Sequence, residues 1–532
     1  METKTVDTFW LLALASKCQA FSSLNLASSA AILLLTWLTT LFLFWAYPGG
    51  PAWGRYWFKK GLRFSNKTAT IPGPRGLPLF GSMSIMTNLA HHKIAAVASR
   101  FGAKRLMAYS LGQTRVIVTC NADVAKEILN SSVFADRPIK ESAYSLLFNR
   151  AIGFAPYGVY WRTLRRIAAT HMFSPRQIKS SESQRLKIAS QMVSVFNQSK
   201  EQKLRIRDVL KAASLNNMMC SVFGRSYELN TVNEEVRALK EMVDEGYDLL
   251  GQLNWSDHLP WLAELDLQKI RSRCFNLVPK VNKFVERIIA EHRERSTESD
   301  FVHVLLSLEG EDKLSDSDIV AVLWEMIFRG TDTVAVLIEW IMARMVMHQD
   351  IQSKVQQELD LVVGRSRSVN ESDVASLTYM NCVIKEVLRM HPPGPLLSWA
   401  RLSITDTTVD GHHIPAGTTA MVNMWAICRD PEVWADPLTF NPDRFLASES
   451  QPEFSIMGSD LRLAPFGSGR RTCPGKSLGL ATVSYWVATL MHEFEWLPAK
   501  DGTPVDLTER LKLSSEMKRP LETIIRSRGY TA

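Results

Sequence analysis

Pro465-Phe466-Gly467-Ser468-Gly469-Arg470-Arg471-Thr472-Cys473-Pro474-Gly475 is the stretch of this chain best equipped for chemistry. Its glycines and prolines exclude regular structure and make a tight loop whose backbone N–H groups point inward. A thiolate needs such donors, and positive charge nearby, to stay deprotonated. Arg470 and Arg471 offer charge. The apolar stretch Lys476–Leu490 reads as a helix, so Cys473 stands just before a helix N-terminus, which lowers a thiol pKa further. A functional thiolate, a nucleophile and a buried structural cysteine all stay open on these residues alone. No histidine is placed by sequence to activate a nucleophile.

Other spacings add chemistry. Glu386-Val387-Leu388-Arg389 puts an acid and a guanidinium at i,i+3 on one helix, a pair common enough to say little by itself. Trp161 and Arg165 fall on one face of the amphipathic stretch Tyr157–Met172. Gly330-Thr331-Asp332-Thr333 sits midway along a long apolar periodic run, where Gly and Thr weaken a helix. Threonine hydroxyls bonding back to carbonyls loosen the helix and open a groove. Close helix packing is the other reason for a glycine there. Arg329 follows Glu325 by four residues, the favourable order for an ion pair. That pair either turns away from a pocket or leaves Arg329 to hold a substrate carboxylate.

These residues need elements to position them. The chain has 532 residues, 46% hydrophobic and 22% charged, which suits a globular protein with ample core and excludes wholesale disorder. Seven scattered cysteines without a Cys-x-x-Cys pair argue against a disulfide scaffold, a zinc ribbon or a thioredoxin-type site. Ala27–Tyr47 is an uncharged apolar run of the length that spans a bilayer, about 20 residues. It is longer than the apolar part of a signal peptide and ends in Trp45-Ala46-Tyr47, so it reads as a retained anchor. No Asp or Glu occurs between Asp7 and Asp123, while Arg55, Lys59, Lys60, Arg63 and Lys67 follow the anchor. Such a block suits anionic lipid better than nucleic acid, and it places the C-terminal part in the cytosol. Sequons such as Asn66-Lys67-Thr68 then stay unglycosylated.

The layout expected is a lumenal segment 1–26, a transmembrane anchor 27–47, a basic, proline-rich linker and hinge 48–78, and one catalytic domain 79–532. Ser315 caps a helix over Ile319–Met347, roughly 45 Å long. Strand-like runs are short: Leu106–Tyr109, Val116–Thr119 and Thr419–Asn423. The fold class is mainly α with small β-sheets. Asn254–Leu262, with Trp255 and Trp261, either dips into the bilayer or is a packed connection.

Phe466-x-x-Gly469-x-Arg471-x-Cys473-x-Gly475 resembles the haem-binding signature of the cytochrome P450 monooxygenases. Glu386, Arg389 and Arg444, in that order before the cysteine loop, resemble the family's structural triad, with Asp443 where many members have Glu. The resemblance implies the P450 fold and haem b, with Cys473 as the proximal iron ligand and Phe466 and Gly475 beside it. It implies that Trp161, Arg165, Arg401 and Arg471 face the haem propionates, and that Asp332 and Thr333 relay protons during activation of O2. Arg329 and Val334 depart from the family's oxygen-activation pattern. Pro48–Gly54 and Phe328–Val334 resemble more narrowly the KLUH-like plant subfamily of organ-growth regulators.

The activity implied is insertion of one oxygen atom into a C–H bond of a small lipophilic substrate, a fatty acid first, in a plant growth or developmental role. No Gly-x-Gly-x-x-Gly occurs, so electrons from NADPH arrive through a separate FAD/FMN enzyme, NADPH–cytochrome P450 reductase. The location implied is the endoplasmic reticulum membrane, single-pass. Pocket segments implied are Ser142–Phe154, Leu396–Trp399 and Ser514–Met517, with Leu396, Leu397, Ser515 and Arg329 as substrate contacts. The competing readings are a haem-thiolate isomerase or dehydratase needing no reductase, a non-catalytic haem-binding protein, and a non-haem membrane protein.

Overall fold

An apolar run becomes a buried helix only where neighbours cover every face, and the longest run here meets that condition. The computed structural model describes residues 26–60, 70–198, 203–229, 231, 233–294, 300–397, 400–447, 454–499 and 504–529. Segment 1–26 (but for residue 26), Arg63, Asn66 and Lys67 of the basic block, and Ser398 and Trp399 lie outside the described residues. The helices used below are α1 (Leu26–Ala46), α2 (Pro51–Lys59), α3 (Val159–His171), α4 (Ile206–Phe223), α5 (Asp316–Met347), α6 (Thr378–Met390) and α7 (Lys476–Glu493).

Ser315 caps α5 as expected, its hydroxyl accepting from Asp318 N at 3.2 Å. Along α5, Trp324 and Phe328 enter one apolar cluster while Trp340 and Ile341 enter another, so the helix joins two cores. Helix α7 is buried along most of its length, with Trp486 fully enclosed. Burying a large apolar side chain stabilises by roughly 1.5–3 kcal/mol.

Strands β1 (Met107–Leu111), β2 (Thr114–Thr119), β3 (Arg401–Leu402) and β4 (Thr419–Val422) form a sheet in the order β1-β2-β4-β3. Only the β2–β4 pairing is parallel, with Val116 opposite Thr419. A hairpin of β5 (Glu509–Leu511) and β6 (Ser515–Met517) pairs Ser515 with Leu511. The protein is therefore mostly helical with small sheets.

Helix α1 is long and apolar enough to cross a membrane, and none of its apolar stretch is buried by the protein. The 48–78 stretch is not bare linker. It carries α2, whose Trp53 is buried and donates through Nε1 to Tyr109 O at 3.1 Å. Further on, Ala108 N donates to Pro72 O at 2.9 Å, and a Cβ on Gly73 would meet Ala108 O at 1.8 Å. Trp45 at the end of α1 donates to Gly76 O at 2.7 Å.

Candidate active site

The cysteine loop folds as its composition requires. Cys473 N donates to Phe466 O at 2.9 Å, and Gly467 N to Ala464 O at 2.9 Å. Gly469 has φ +67°, and a Cβ there would stand 2.1 Å from Leu129 O, so no larger residue fits. Half-buried Cys473 lines a cavity with ≈ 1800 Å³ of empty space, its open mouth included. Phe466 and Gly475 share that wall. From α5, Arg329, Gly330, Thr333, Val334 and Leu337 line another.

Burial is the largest influence on the Cys473 thiol and raises its pKa. Arg329, the Gly475 N–H, Arg165 and Lys476 pull it down. The charge expected from Arg470 and Arg471 comes from elsewhere. Arg470 is exposed and its guanidinium lies over the Tyr157 ring at 5.7 Å. Arg471 is buried and turned to the carbonyls of Ala135, Ile152 and Ala155 at 2.8, 3.1 and 2.7 Å.

Arg137, Arg165, Arg401 and Arg471 all line the cavity, with Trp161 among them. Their pKa values are depressed, first by burial and then by neighbouring arginines, Arg329 in the case of Arg165. Burial, Arg471 and Arg165 push Arg401 down to about 9. Burial, and then Arg165 and Arg329, push Arg471 down to about 10. Arg137 is pushed well below its ordinary value by burial, Arg401 and Arg471. A guanidinium keeps its proton in proteins, so burial here gathers several positive charges on one cavity wall. Arg401 Nη1 is buried with no hydrogen-bond partner. The haem implied by the resemblance fits this donor set: two propionates would meet the guanidinium cluster, and Cys473 Sγ would meet the iron.

Three placements differ from expectation. Trp161 spends its one N–H on Ile152 O at 3.1 Å, so it contributes a ring under Arg471, 4.3 Å from the guanidinium, rather than a free donor. Asp332 does not line the cavity; its carboxylate binds Lys211 Nζ at 2.9 Å and accepts from the Ser514 hydroxyl. Thr333 does line it. The hydroxyl that bonds back to the helix belongs to Thr331, 2.7 Å from Ile327 O. A Cβ on Gly330 would stand 2.3 Å from Met218 Sδ of α4, so close helix packing accounts for that glycine.

Of the substrate candidates, Leu397 lines the cavity at a turn with φ +54°, while Leu396 is buried in the cluster around the β1 and β2 strands. Ser515 is buried and its carbonyl accepts from Trp340; the neighbouring Leu513 and Ser514 face the cavity instead. Leu513 and Ser514 lie in the turn between β5 and β6, so the turn faces the cavity while the strand that Ser515 begins does not. Arg329 and Glu325 both line the cavity 3.5 Å apart, so their ion pair faces it.

Away from the cavity, Arg389 forks onto Glu386 at 2.7 and 2.8 Å, and Arg444 Nε reaches Glu386 at 3.2 Å. Glu386 and Arg389 are fully buried, and Arg389 also donates to Cys428 O and Pro437 O. Within Asn254–Leu262, Asn254 and Leu259 pack inward while Trp255 and Trp261 are exposed. Trp261 lies beside exposed Phe80, ring centres 6.3 Å apart. The residue that sequence reasoning missed is Arg137, whose place depends on Gly153 O and Ala400 O, distant in sequence.

Comparison with known proteins agrees with this geometry. The family profile described as Cytochrome P450 matches residues 71–522. Cytochrome P450 78A9 of Arabidopsis thaliana is 66% identical, covering 99% of each chain. Cytochrome P450 78A3 of Glycine max is 65% identical over 98% of each. Flavonoid 3'-monooxygenase of Arabidopsis thaliana is 34% identical, covering 87% of this chain and 92% of its own. Likeness that runs through α1 as well as the cysteine loop is not a shared motif but shared descent, and this chain belongs to the cytochrome P450 monooxygenase family, among its plant 78A members.

Proposed function

We propose that this protein is a membrane-anchored haem-thiolate monooxygenase that hydroxylates a lipophilic substrate, with fatty acids the first class to test. The observation that carries this reading is Cys473 in a cavity lined by Arg137, Arg165, Arg401 and Arg471, with Arg401 Nη1 buried and without a hydrogen-bond partner. The family implies haem iron and O2. When bound, haem supplies the activation of O2.

The chain's own residues do the rest. Cys473 would hold the iron from its loop, with the Gly475 N–H steadying its sulfur. Arg137, Arg165, Arg401 and Arg471 would hold the propionates. Thr333 offers a hydroxyl at the cavity surface, and behind the wall the Lys211 ammonium paired with Asp332 would be the donor from which a relay draws its proton. Glu386, Arg389 and Arg444 brace the loop region and touch no substrate. Val334, Leu337, Leu397 and Leu513 exclude water and favour an apolar chain, and Arg329 meets an acidic head group.

Electrons come from NADPH through a separate FAD/FMN reductase. Arg470 and Lys476, beside the cysteine loop, suit an acidic partner surface. An apolar helix α1 followed by a basic block supports a location in the endoplasmic reticulum membrane with the domain in the cytosol, and exposed Leu77, Phe80, Trp255 and Trp261 offer an apolar surface to the lipid in this reading. A role in plant growth follows from the subfamily likeness.

The test is an optical titration of the haem-loaded protein with medium- and long-chain fatty acids, followed by turnover with NADPH and reductase. A saturable spin-state shift and a hydroxylated product are expected. A normal reduced-CO thiolate spectrum with no shift by any fatty acid removes that substrate class. Turnover without reductase and NADPH removes the monooxygenase reading.

A further inference from the structure

His91, His92 and Glu509, far apart in the chain, bring one ligand-type atom each to within 4.8 Å of one another. His91 Nε2 stands 2.8 Å and His92 Nε2 3.1 Å from the same oxygen, Glu509 Oε2. The side chains of His91 and Glu509 are 0% and 8% exposed, whereas that of His92 is 41% exposed, so the cluster opens to solvent through His92.

The other carboxylate oxygen faces a third histidine, His391. His391 Nε2 accepts from Arg344 Nε at 3.1 Å and Nη2 at 2.8 Å. A guanidinium only donates, so this nitrogen carries the lone pair and the ring proton sits on Nδ1. That Nδ1 stands 3.6 Å from Glu509 Oε1. At that distance it makes no hydrogen bond to the carboxylate, so His391 lies beside the cluster, buried with its Nδ1 unpartnered, and is not itself a ligand. The rings are fixed as well. His391 stacks on Trp340 at 4.0 Å and His92 on Trp425 at 4.0 Å, while Asn423 Nδ2 donates to His91 O at 2.8 Å. Ligands held in place before binding lose little freedom when a metal arrives.

We propose that His91, His92 and Glu509 bind one divalent transition-metal ion of the zinc class. Two imidazoles and one carboxylate are a zinc-type donor set, whereas Mg²⁺ and Ca²⁺ require more oxygen. Ligand atoms on one tetrahedral zinc lie roughly 3.2–3.5 Å apart, given metal–ligand lengths of about 2.0–2.2 Å. The two histidine–carboxylate distances, 2.8 and 3.1 Å, open by a few tenths of an ångström to reach that, and the two histidine nitrogens, within 4.8 Å of each other, draw together. The fourth position faces solvent beside His92.

The site ties together the helix Ala90–Arg100, the segment after α6 and strand β5. Two of these lead into cavity wall: Pro393 and Leu397 follow His391, and Leu513 and Ser514 follow Glu509. Ser515 N donates to Pro393 O at 2.9 Å, joining the same two segments. The proposal does not depend on the monooxygenase reading.

The test uses the full-length protein in detergent, chelator-treated and desalted, titrated with Zn²⁺ against a chromophoric chelator. One zinc per chain is expected to compete, with a higher thermal midpoint. His92→Phe keeps a ring on Trp425 but removes the ligand nitrogen, and it is expected to weaken binding by about 100-fold or more and abolish the thermal shift. Glu509→Gln is expected to do the same. His171→Phe, at an exposed helix end away from the cluster, leaves binding unchanged. Wild type that holds zinc no better than His92→Phe overturns the proposal, as does equal loss in His171→Phe. Should Glu509→Gln not fold, the partly exposed His92 decides alone. Turnover is not the readout, so failure here leaves the proposed oxygenase function standing.

Discussion

Lys211 Nζ lies 2.9 Å from Asp332 Oδ1, and this pair keeps the acid of the Gly330–Thr333 stretch behind the cavity wall. Burial lowers the Lys211 pKa, but Asp332 and then Glu516 outweigh it and leave it raised. Asp332 and Thr333 are thus adjacent in sequence and separated in role: one meets the cavity, the other a lysine.

That separation makes their variants distinguishable. Asp332→Asn is expected to slow product formation roughly 10–100-fold while the substrate-induced spectral affinity stays within about twofold. Thr333→Ala is expected to lower product formed per NADPH and to change that affinity as well. Equal changes in affinity for both variants argue that Asp332 reaches the substrate.

Glu325 and Arg329 supply a second test. Burial raises the Glu325 pKa against the pull of Arg329, and Gly153 N donates to its Oε1 at 2.8 Å. Arg329→Ala is expected to weaken binding of a fatty acid about tenfold and to leave the matching alcohol unchanged, read by optical titration. Unchanged acid affinity removes Arg329 from substrate recognition.

In the Glu386–Arg389–Arg444 network, Glu386 and Arg389 are fully buried and Arg444 is half-buried. Glu386→Ala leaves two guanidiniums without their carboxylate, and a loss of about 3–5 kcal/mol is expected. Thermal unfolding and haem content measure it. Arg389→Lys is not expected to rescue, because an ammonium cannot fork onto Glu386 and reach the carbonyls of Cys428 and Pro437 together.

Burial, and then Lys140, hold the His258 pKa down to about 4, with its Nδ1 2.9 Å from Thr114 Oγ1. The unfolded chain takes up this proton near its ordinary value of about 6.5. Stability from neutral His258 is therefore present above about pH 6.5 and lost as pH falls toward 4, on the order of 3 kcal/mol in all. His258→Gln is expected to flatten that part of the pH–stability curve by up to one proton. An unaltered slope shows that other groups carry it.

Much of this was legible before any coordinates. The cap at Ser315, the apolar period of α5 and the cysteine loop are local signals, and local signals survive folding. Trp161 and Arg165 were legible as one helix face, but the carbonyl that takes the Trp161 N–H was not. Arg137, the Lys211–Asp332 pair and the offset from Ser515 to Ser514 depend on contacts between segments remote in the chain. No spacing rule encodes these. Gly330 shows the same limit from the other side: its local sequence suggested a loosened helix, and Met218 from α4 supplied the reason.

Trp45 bound to Gly76, with Trp53 buried just beyond, leaves little slack between α1 and the domain. In the proposed placement the exposed apolar patch turns to the same lipid, and the protein would sample substrate dissolved in the bilayer rather than in bulk water. Its apparent Michaelis constant should then follow the mole fraction of substrate in lipid. Diluting the membrane at fixed total substrate should raise apparent activity differences between substrates according to their partition coefficients, even where the cavity itself holds them equally well.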